Sequence, residues 1–321
     1  MPDLAAVTTP VPIDPAQPEA LFWDVVDGWQ QGRGAWGGLV VAALTRAAVS
    51  AQAAVSAQAA VSAQAAVSAQ AAVSAQAAVS TQAAVSAQAH PDRRVRSVSA
   101  QILGPVTTGR MRLAVSPLRV GSRMSTYSVR LWRHDDPAAA GEDGGSPELL
   151  AHAVVVLGAA RAADLDTSGA AWRGVKPPVS PRYADVPPVR LPPALAPTFT
   201  QHIEVRPVAG LPMSGDGDVL TWVRFVAPPG DRPHDEVSVL ALVDALWPAL
   251  LLRLPGWRPV ATVTFEAAVV TDPARLDPAE PLLHRGRVVT ARDGYVVETR
   301  ELWSPAGELV VTNVQTMAVI R

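Results

Sequence analysis

EVSVLALVDALWPALLLRLPGWRPVATVTFEAAVV, running from Glu236 to Val270, is the stretch whose reading decides the fold. Val237, Leu240, Ala241 and Asp244 fall at i, i+3, i+4 and i+7, so they share one helical stripe. Asp244 is the single polar member of that stripe. A carboxylate facing a core is costly to ionise unless something nearby pairs with it. Asp244 is therefore either held by donors at a helix end or placed there for chemistry. Pro248 cannot donate a backbone bond to the carbonyl of residue 244, so the helix is disturbed at that point. Pro255 and Gly256 then make a turn, and alternation from Val260 marks a strand.

Outward from this stretch the texture is regular. Downstream, LLHRGRVVTAR, GYVVETRELWS and ELVVTNVQTMAVI read as further strands, and upstream FTQHIEVRPV and DVLTWVRFV do the same. Before them, residues 164–197 hold Pro177, Pro178, Pro181, Pro187, Pro188, Pro192, Pro193 and Pro197, the composition of a linker. The N-terminal part repeats the plan. An apolar and aromatic lead-in (LFWDVVDGW, Leu21 to Trp29) precedes the glycines Gly32, Gly34, Gly37 and Gly38 and the apolar run GGLVVAALTRAAV. The strands VRSVSAQIL, GRMRLAVSPLRVG, SRMSTYSVRLWR and LLAHAVVVLGAA come next. A helix opening at Gly37 and Gly38 aims N–H groups at whatever lies before it. One helix wrapped by an antiparallel sheet, present twice, predicts an α+β fold: a tandem (double) hotdog. The expected units are a loosely ordered 1–18, a first hotdog over 19–163, the linker 164–197, and a second hotdog over 198–321.

One segment breaks the plan. Residues 51–80 are five copies of AQAAVS, followed by TQAAVS at 81–86. Ala and Gln favour helix. A six-residue period leaves successive valines about 120° apart around that helix, so no apolar stripe forms. The expectation is a low-complexity insert that prolongs the first helix into solvent and can be deleted without loss of folding or activity.

Composition narrows the function. The 321 residues are 49% hydrophobic and 17% charged, which allows a large core over two domains. A formal net charge of −2 without a Lys/Arg run weighs against nucleic acid. The chain has no Cys, which excludes disulfides, thiolate zinc sites and a Cys nucleophile, and its 6 His lack metal-site spacing. Neither metal nor cofactor is expected. No signal peptide or membrane span is read, which places the protein in the cytoplasm.

GAWGGLVVAAL, PLRVGSRMSTYSVRLW, the helix with Asp244, VATVTF and the terminal VTNVQTM together resemble the acyl-CoA thioesterase II (TesB-like) family of double-hotdog enzymes. The resemblance spans about residues 20–163 and 198–321; the AQAAVS insert departs from it. It implies hydrolysis of acyl-CoA thioesters with Asp244, Thr262 and Gln315 as the catalytic residues, acyl-CoA as the partner, and room for a homo-oligomer. The residue types suit that chemistry. Asp244 can orient a water and accept its proton. Thr262 and Gln315 are neutral hydrogen-bonders that add no charge, and N–H groups at a helix N-terminus can polarise the carbonyl. Simple alternation puts Thr262, Thr264 and Glu266 on one strand face, so Thr264 is an alternative hydroxyl. A Ser-His-Asp triad is not expected, because no Gly-x-Ser-x-Gly elbow occurs. Two other readings stand beside hydrolysis: an acyl-CoA-binding hotdog without catalysis, and a hotdog hydratase or dehydratase, for which His234 and Asp235 lie beside the helix.

Overall fold

The computed structural model of the chain describes residues 3–14, 17–74, 93–134, 147–161, 174–190, 196–215, 217–226 and 234–320. Helix α1 (Leu4–Thr8) is capped by Asp3, whose carboxylate accepts from Ala6 N–H. Strand β1 (Val11–Asp14) pairs with β2 (Gln17–Val25). The described part of the Pro-rich N-terminus is therefore ordered structure, which corrects the expectation of loose order. Leu4 and Val7 are buried, and Trp23 donates its indole N–H to the Val7 carbonyl at 2.7 Å. Pro12 is tolerated in β1 because β1 is an edge strand.

Two short strands, β3 (Gln30–Gln31) and β4 (Gly34–Ala35), form their own ladder before helix α2 (Gly37–Ser74). Next along the chain are β5 (Arg94–Ile102), β6 (Gly109–Val120), β7 (Met124–Arg133) and β8 (Leu149–Gly158). The later part brings β9 (Ile203–Ala209), β10 (Val219–Phe225), helix α3 (Glu236–Leu242), β11 (Val260–Val269), β12 (Leu282–Arg292), β13 (Tyr295–Trp303) and β14 (Leu309–Val319).

Twelve of these strands form one antiparallel sheet in the order β1-β2-β6-β7-β8-β5-β11-β14-β13-β12-β10-β9. Read inward from either edge, the two halves have the same order. Each starts with two edge strands, crosses over through a helix, and places the strand after the helix innermost. The innermost strands, β5 and β11, pair with each other from Thr264↔Gln101 to Ala268↔Ser97. The repeat seen in the sequence is thus a repeat of topology, and the chain is a double hotdog.

Helix α2 is the larger of the two enclosed helices. Leu39, Val40, Val41, Ala42, Ala43, Leu44, Ala47 and Ala48 are all at most 1% exposed. A helix apolar all round is a core helix, and each fully buried Leu or Val contributes roughly 1.5–3 kcal/mol. The stretch Gly37–Gln58 is long and apolar enough to cross a membrane by composition, contrary to the reading from sequence; here 61% of its most apolar window is buried inside the protein. The hexapeptide insert does prolong α2. Its first copy, however, belongs to the fold. Gln52 is 5% exposed and accepts from Arg93 Nη1 and from the Tyr127 hydroxyl. Val61, one copy further on, is 70% exposed. Residues 75–86 of the repeat lie outside the described residues.

Part of the Pro-rich 164–197 is also described. Tyr183 and Val186 pack with Trp222, Leu283 and Trp303. The Tyr183 hydroxyl donates to Glu204 at 2.5 Å, and Arg206 stacks on its ring. This hydroxyl and the paired arginines Arg206 and Arg224 hold Glu204 at about 2 despite its partial burial.

Candidate active site

Helix α3 begins as the sequence requires and ends sooner. Asp235 caps it, with a reciprocal bond between Asp235 and Ser238. His234 contacts the Ser238 hydroxyl through Nδ1. Both residues singled out for a hydratase reading thus serve the start of the helix. The helix stops at Leu242, so Asp244 stands in a turn just past its end, not on its stripe: Asp244 N–H bonds Ala241 O at 3.0 Å and Ala245 N–H bonds Leu242 O at 3.1 Å. Pro248 then starts a 3₁₀ turn, Ala249–Leu252, from an extended conformation.

The break frees backbone groups, and each finds a partner from elsewhere in the chain. The carbonyl of Asp244 accepts the indole N–H of Trp36, from the first half, at 3.0 Å. The carbonyl of Val243 accepts from His284 Nε2 at 3.1 Å. Ala249 N–H donates to Glu298 Oε2 at 2.6 Å. Such pairing is what buried backbone groups require.

The three residues expected in the site come together. Asp244 Oδ1 accepts from Gln315 Nε2 at 2.7 Å, and Gln315 Oε1 accepts from the Thr262 hydroxyl at 3.1 Å. Gln315 is fully buried, Asp244 is 7% exposed, and Thr262 is half-buried. Asn313 Oδ1 accepts the other N–H of the Gln315 amide at 3.0 Å. Thr264 does not join them. The β11–β14 register slips between Thr262 and Thr264, so Thr262 lies opposite Met317, whereas Thr264 lies opposite Thr316. Opposed residues share a sheet face. Met317, Gln315 and Asn313 alternate on the buried face of β14, and Thr316 points to the other. The bulge therefore turns Thr262 inward and leaves Thr264 outside, where its hydroxyl accepts from Thr316 N–H. The expected shared face is corrected by this one extra residue. On that outer face Glu266 accepts from Ser99, in an open groove of about 300 Å³ that the sheet separates from Asp244.

Helix α2 opens at Gly37 and Gly38, as expected, and its opening faces Asp244. Three of its first-turn N–H groups are already committed: Leu39 and Val40 bond the Trp36 carbonyl, and Gly38 N–H bonds the Asp244 carboxylate. The glycines permit this approach. A Cβ on Gly37 would stand 2.9 Å from Asp244 Oδ2, and one on Gly38 would lie 2.5 Å from the Trp36 ring.

Two charged neighbours escaped the sequence reading. Arg300 Nη1 donates to Asp244 Oδ1 at 2.8 Å, and Arg300 Nε to Glu298 Oε1 at 2.9 Å. Arg300 is 2% exposed and Glu298 is fully buried. A signal existed: Val296, Glu298, Arg300 and Leu302 alternate on one face of β13, and all four are buried. Gly286, opposite Arg300 in β12, leaves the room, since a Cβ there would approach Glu298 Oε1 to 3.2 Å. Burial pushes the Asp244 carboxyl above the usual carboxylate range, against the pull of Arg300, Gln315 and the Gly38 N–H. Glu298 is raised for the same reason, opposed by Arg300 and Ala249 N–H. His284, fully buried beside the Arg300 charge, is depressed to about 3 and stays neutral.

The double hotdog defines a class, and the comparisons agree with it. Residues 183–319 match the acyl-CoA thioesterase C-terminal domain, and residues 66–156 match the acyl-CoA thioesterase N-terminal domain. The chain belongs to the acyl-CoA thioesterase family and is a thioester hydrolase by that membership. Among solved structures it is similar to a hotdog-fold protein of unknown function from Alicyclobacillus acidocaldarius, at 19% identity and TM-score 0.73, covering 100% of this chain and 99% of that one. It is also similar to the acyl-CoA thioesterase II TesB2 of Mycobacterium marinum, at 15% identity and TM-score 0.65, with 99% and 98% covered. The tesB protein of Mycobacterium avium subs paratuberculosis matches at 14% identity and TM-score 0.66 over the same shares, 99% and 98%. No curated protein matches the chain in sequence.

Proposed function

We propose that this chain hydrolyses fatty acyl-CoA to the free acid and coenzyme A, with water activated at Asp244. The observation that carries the reading is the bonded series Thr262–Gln315–Asp244, which sets a carboxylate in a nearly dry site beside the N-terminus of α2. Gln315 holds Asp244 Oδ1 and Thr262 together. Thr262, the most exposed of the three, stands where an entering water can be bound. Asp244 takes the proton as the water oxygen attacks the thioester carbonyl. The tetrahedral intermediate then expels the coenzyme A thiolate, which is protonated on leaving. The two hotdog units are taken as residues 19–163 and 198–321, joined by 164–197, in a cytoplasmic enzyme of fatty-acid metabolism.

The test is release of coenzyme A from a panel of acyl-CoAs, monitored with a thiol reagent. Turnover by the parent and its loss in Asp244→Asn are expected. A second reading has an observation of its own. The Asp244 carboxylate already has partners in Arg300, Gln315 and Gly38, as in a pocket kept for binding alone. A protein of that kind binds acyl-CoA in a titration and releases no thiol.

A further inference from the structure

We infer that Arg300 and Glu298 are positioning residues for Asp244: they select which carboxylate oxygen meets the water and set the pH at which it can accept a proton. The inference rests on the proposed role of Asp244. Its first ground is the division of labour between the two oxygens. Oδ1 receives Arg300 Nη1 at 2.8 Å and Gln315 Nε2 at 2.7 Å. Two donors fill the two lone pairs of that oxygen. Oδ2 turns instead to the opening of α2, where Gly37 presents no side chain and Ile102 forms the far wall. With both lone pairs of Oδ1 filled, the Gly38 N–H bond falls to Oδ2, which keeps one lone pair for a proton.

The second ground is the charge arrangement. One guanidinium lies between two carboxyls, joined to Asp244 by Nη1 and to Glu298 by Nε. Cross-strand pairing holds this geometry: Glu298 is opposite Gln315, and Arg300 is opposite Asn313. Glu298 is anchored again by Ala249 N–H, on the segment that carries Asp244. Among the described residues, the other groups packed around Asp244 bring no charge. Trp36, Gly37 and Gly38 come from the α2 end, Thr262 from β11, and Asn313 and Gln315 from β14. His284 on β12 is neutral above about 3. The base therefore responds to the Arg300 cation and, where Glu298 is ionised, to that anion, with opposite signs. Arg300 favours the carboxylate, and Glu298 opposes it.

The experiment is the pH profile of kcat/KM for acyl-CoA hydrolysis in the full chain, for the parent, Arg300→Gln, Arg300→Lys, Glu298→Gln and Asp244→Asn. The acid limb is expected to move to higher pH in Arg300→Gln and to lower pH in Glu298→Gln. Arg300→Lys, which keeps the charge and loses the fork, should fall between parent and Arg300→Gln. Shifts of opposite sign from two neighbours are not produced by general loosening of the fold. If Arg300→Gln does not fold, the lysine variant and Glu298→Gln carry the test alone, since each keeps a polar partner in place. An inactive Asp244→Asn together with parental acid limbs in the Arg300 and Glu298 variants overturns this inference. Parental activity in folded Asp244→Asn overturns the functional reading beneath it.

Discussion

At the scale of the residue, the site is a short series of hydrogen bonds, and each link has a test. Asp244→Asn keeps the shape and removes the base, so turnover should fall by roughly 10²–10⁴ while the melting transition stays cooperative. Thr262→Ala and Gln315→Ala should cost less each, and their double variant should lose less than the product of the two, because both act on one carboxylate and one water. Thr264→Ala should leave the rate near the parent value, since the bulge puts that hydroxyl on the other sheet face. Equal losses in Thr262→Ala and Thr264→Ala would show that the register, and with it the site, is misassigned. Gly37→Ala tests the space beside Oδ2. The methyl would meet that oxygen at 2.9 Å, and Asp244, pinned by Arg300 and Gln315, has little freedom to yield. Hydrolysis should drop without any change of charge, and a parental rate would mean that Oδ2 needs no room there.

At the scale of the element, the hexapeptide helix has a built-in start at Gln52 and runs on past Val61, which is exposed. Residues 57–74 are 18 residues, or about five full turns of α2, so their deletion keeps the angular phase of the downstream chain. The shortened protein should fold and hydrolyse acyl-CoA close to the parent. Gln52→Ala should behave differently. It removes one acceptor of Arg93 and of Tyr127, both buried, and a net hydrogen bond is worth about 0.5–1.5 kcal/mol. Chemical denaturation measures both. A deletion as damaging as Gln52→Ala would place the copies after Ser56 in the core. Dispensability of all of 51–86, expected from the period alone, is thus narrowed to the copies after Ser56.

At the scale of the whole molecule, acid stability should track the buried and half-buried histidines. Burial depresses His152, His202, His234 and His284, the last to about 3. Below about pH 6.5 the unfolded chain takes up protons on these rings that the folded chain refuses, so stability falls as pH drops from 6.5 toward 3. The raised carboxyls of Asp244 and Glu298 act in the opposite sense. They take up protons more readily in the folded state as pH falls toward the usual carboxylate range, and so soften the decline there. Melting temperature against pH should therefore show a shallower acid slope in His284→Gln than in the parent. An unchanged slope would mean that His284 titrates normally in the folded protein.

Much of this molecule is legible in local pattern. Period-2 runs locate the strands from Arg94 and from Val260, and the lead-in, helix and strand order, met twice, is enough for the double hotdog. Asp244 stands out as the one carboxylate at the end of an apolar stripe, and Gln315 and Thr262 come from the resemblance. The sequence also determined that Pro248 would break the helix, because a missing N–H is a local fact. Where the freed groups went was decided only by the tertiary structure. Trp36, His284 and Glu298 reach them from elements 41 to 208 residues away in the chain. The choice of Thr262 over Thr264 was decided the same way. A one-residue slip against β14 reverses which side chain faces inward, and that slip depends on the partner strand, not on the alternation of β11 itself. Arg300 and Glu298 are ordinary charges in a strand until packing closes over them; burial then makes them the electrostatic surroundings of Asp244.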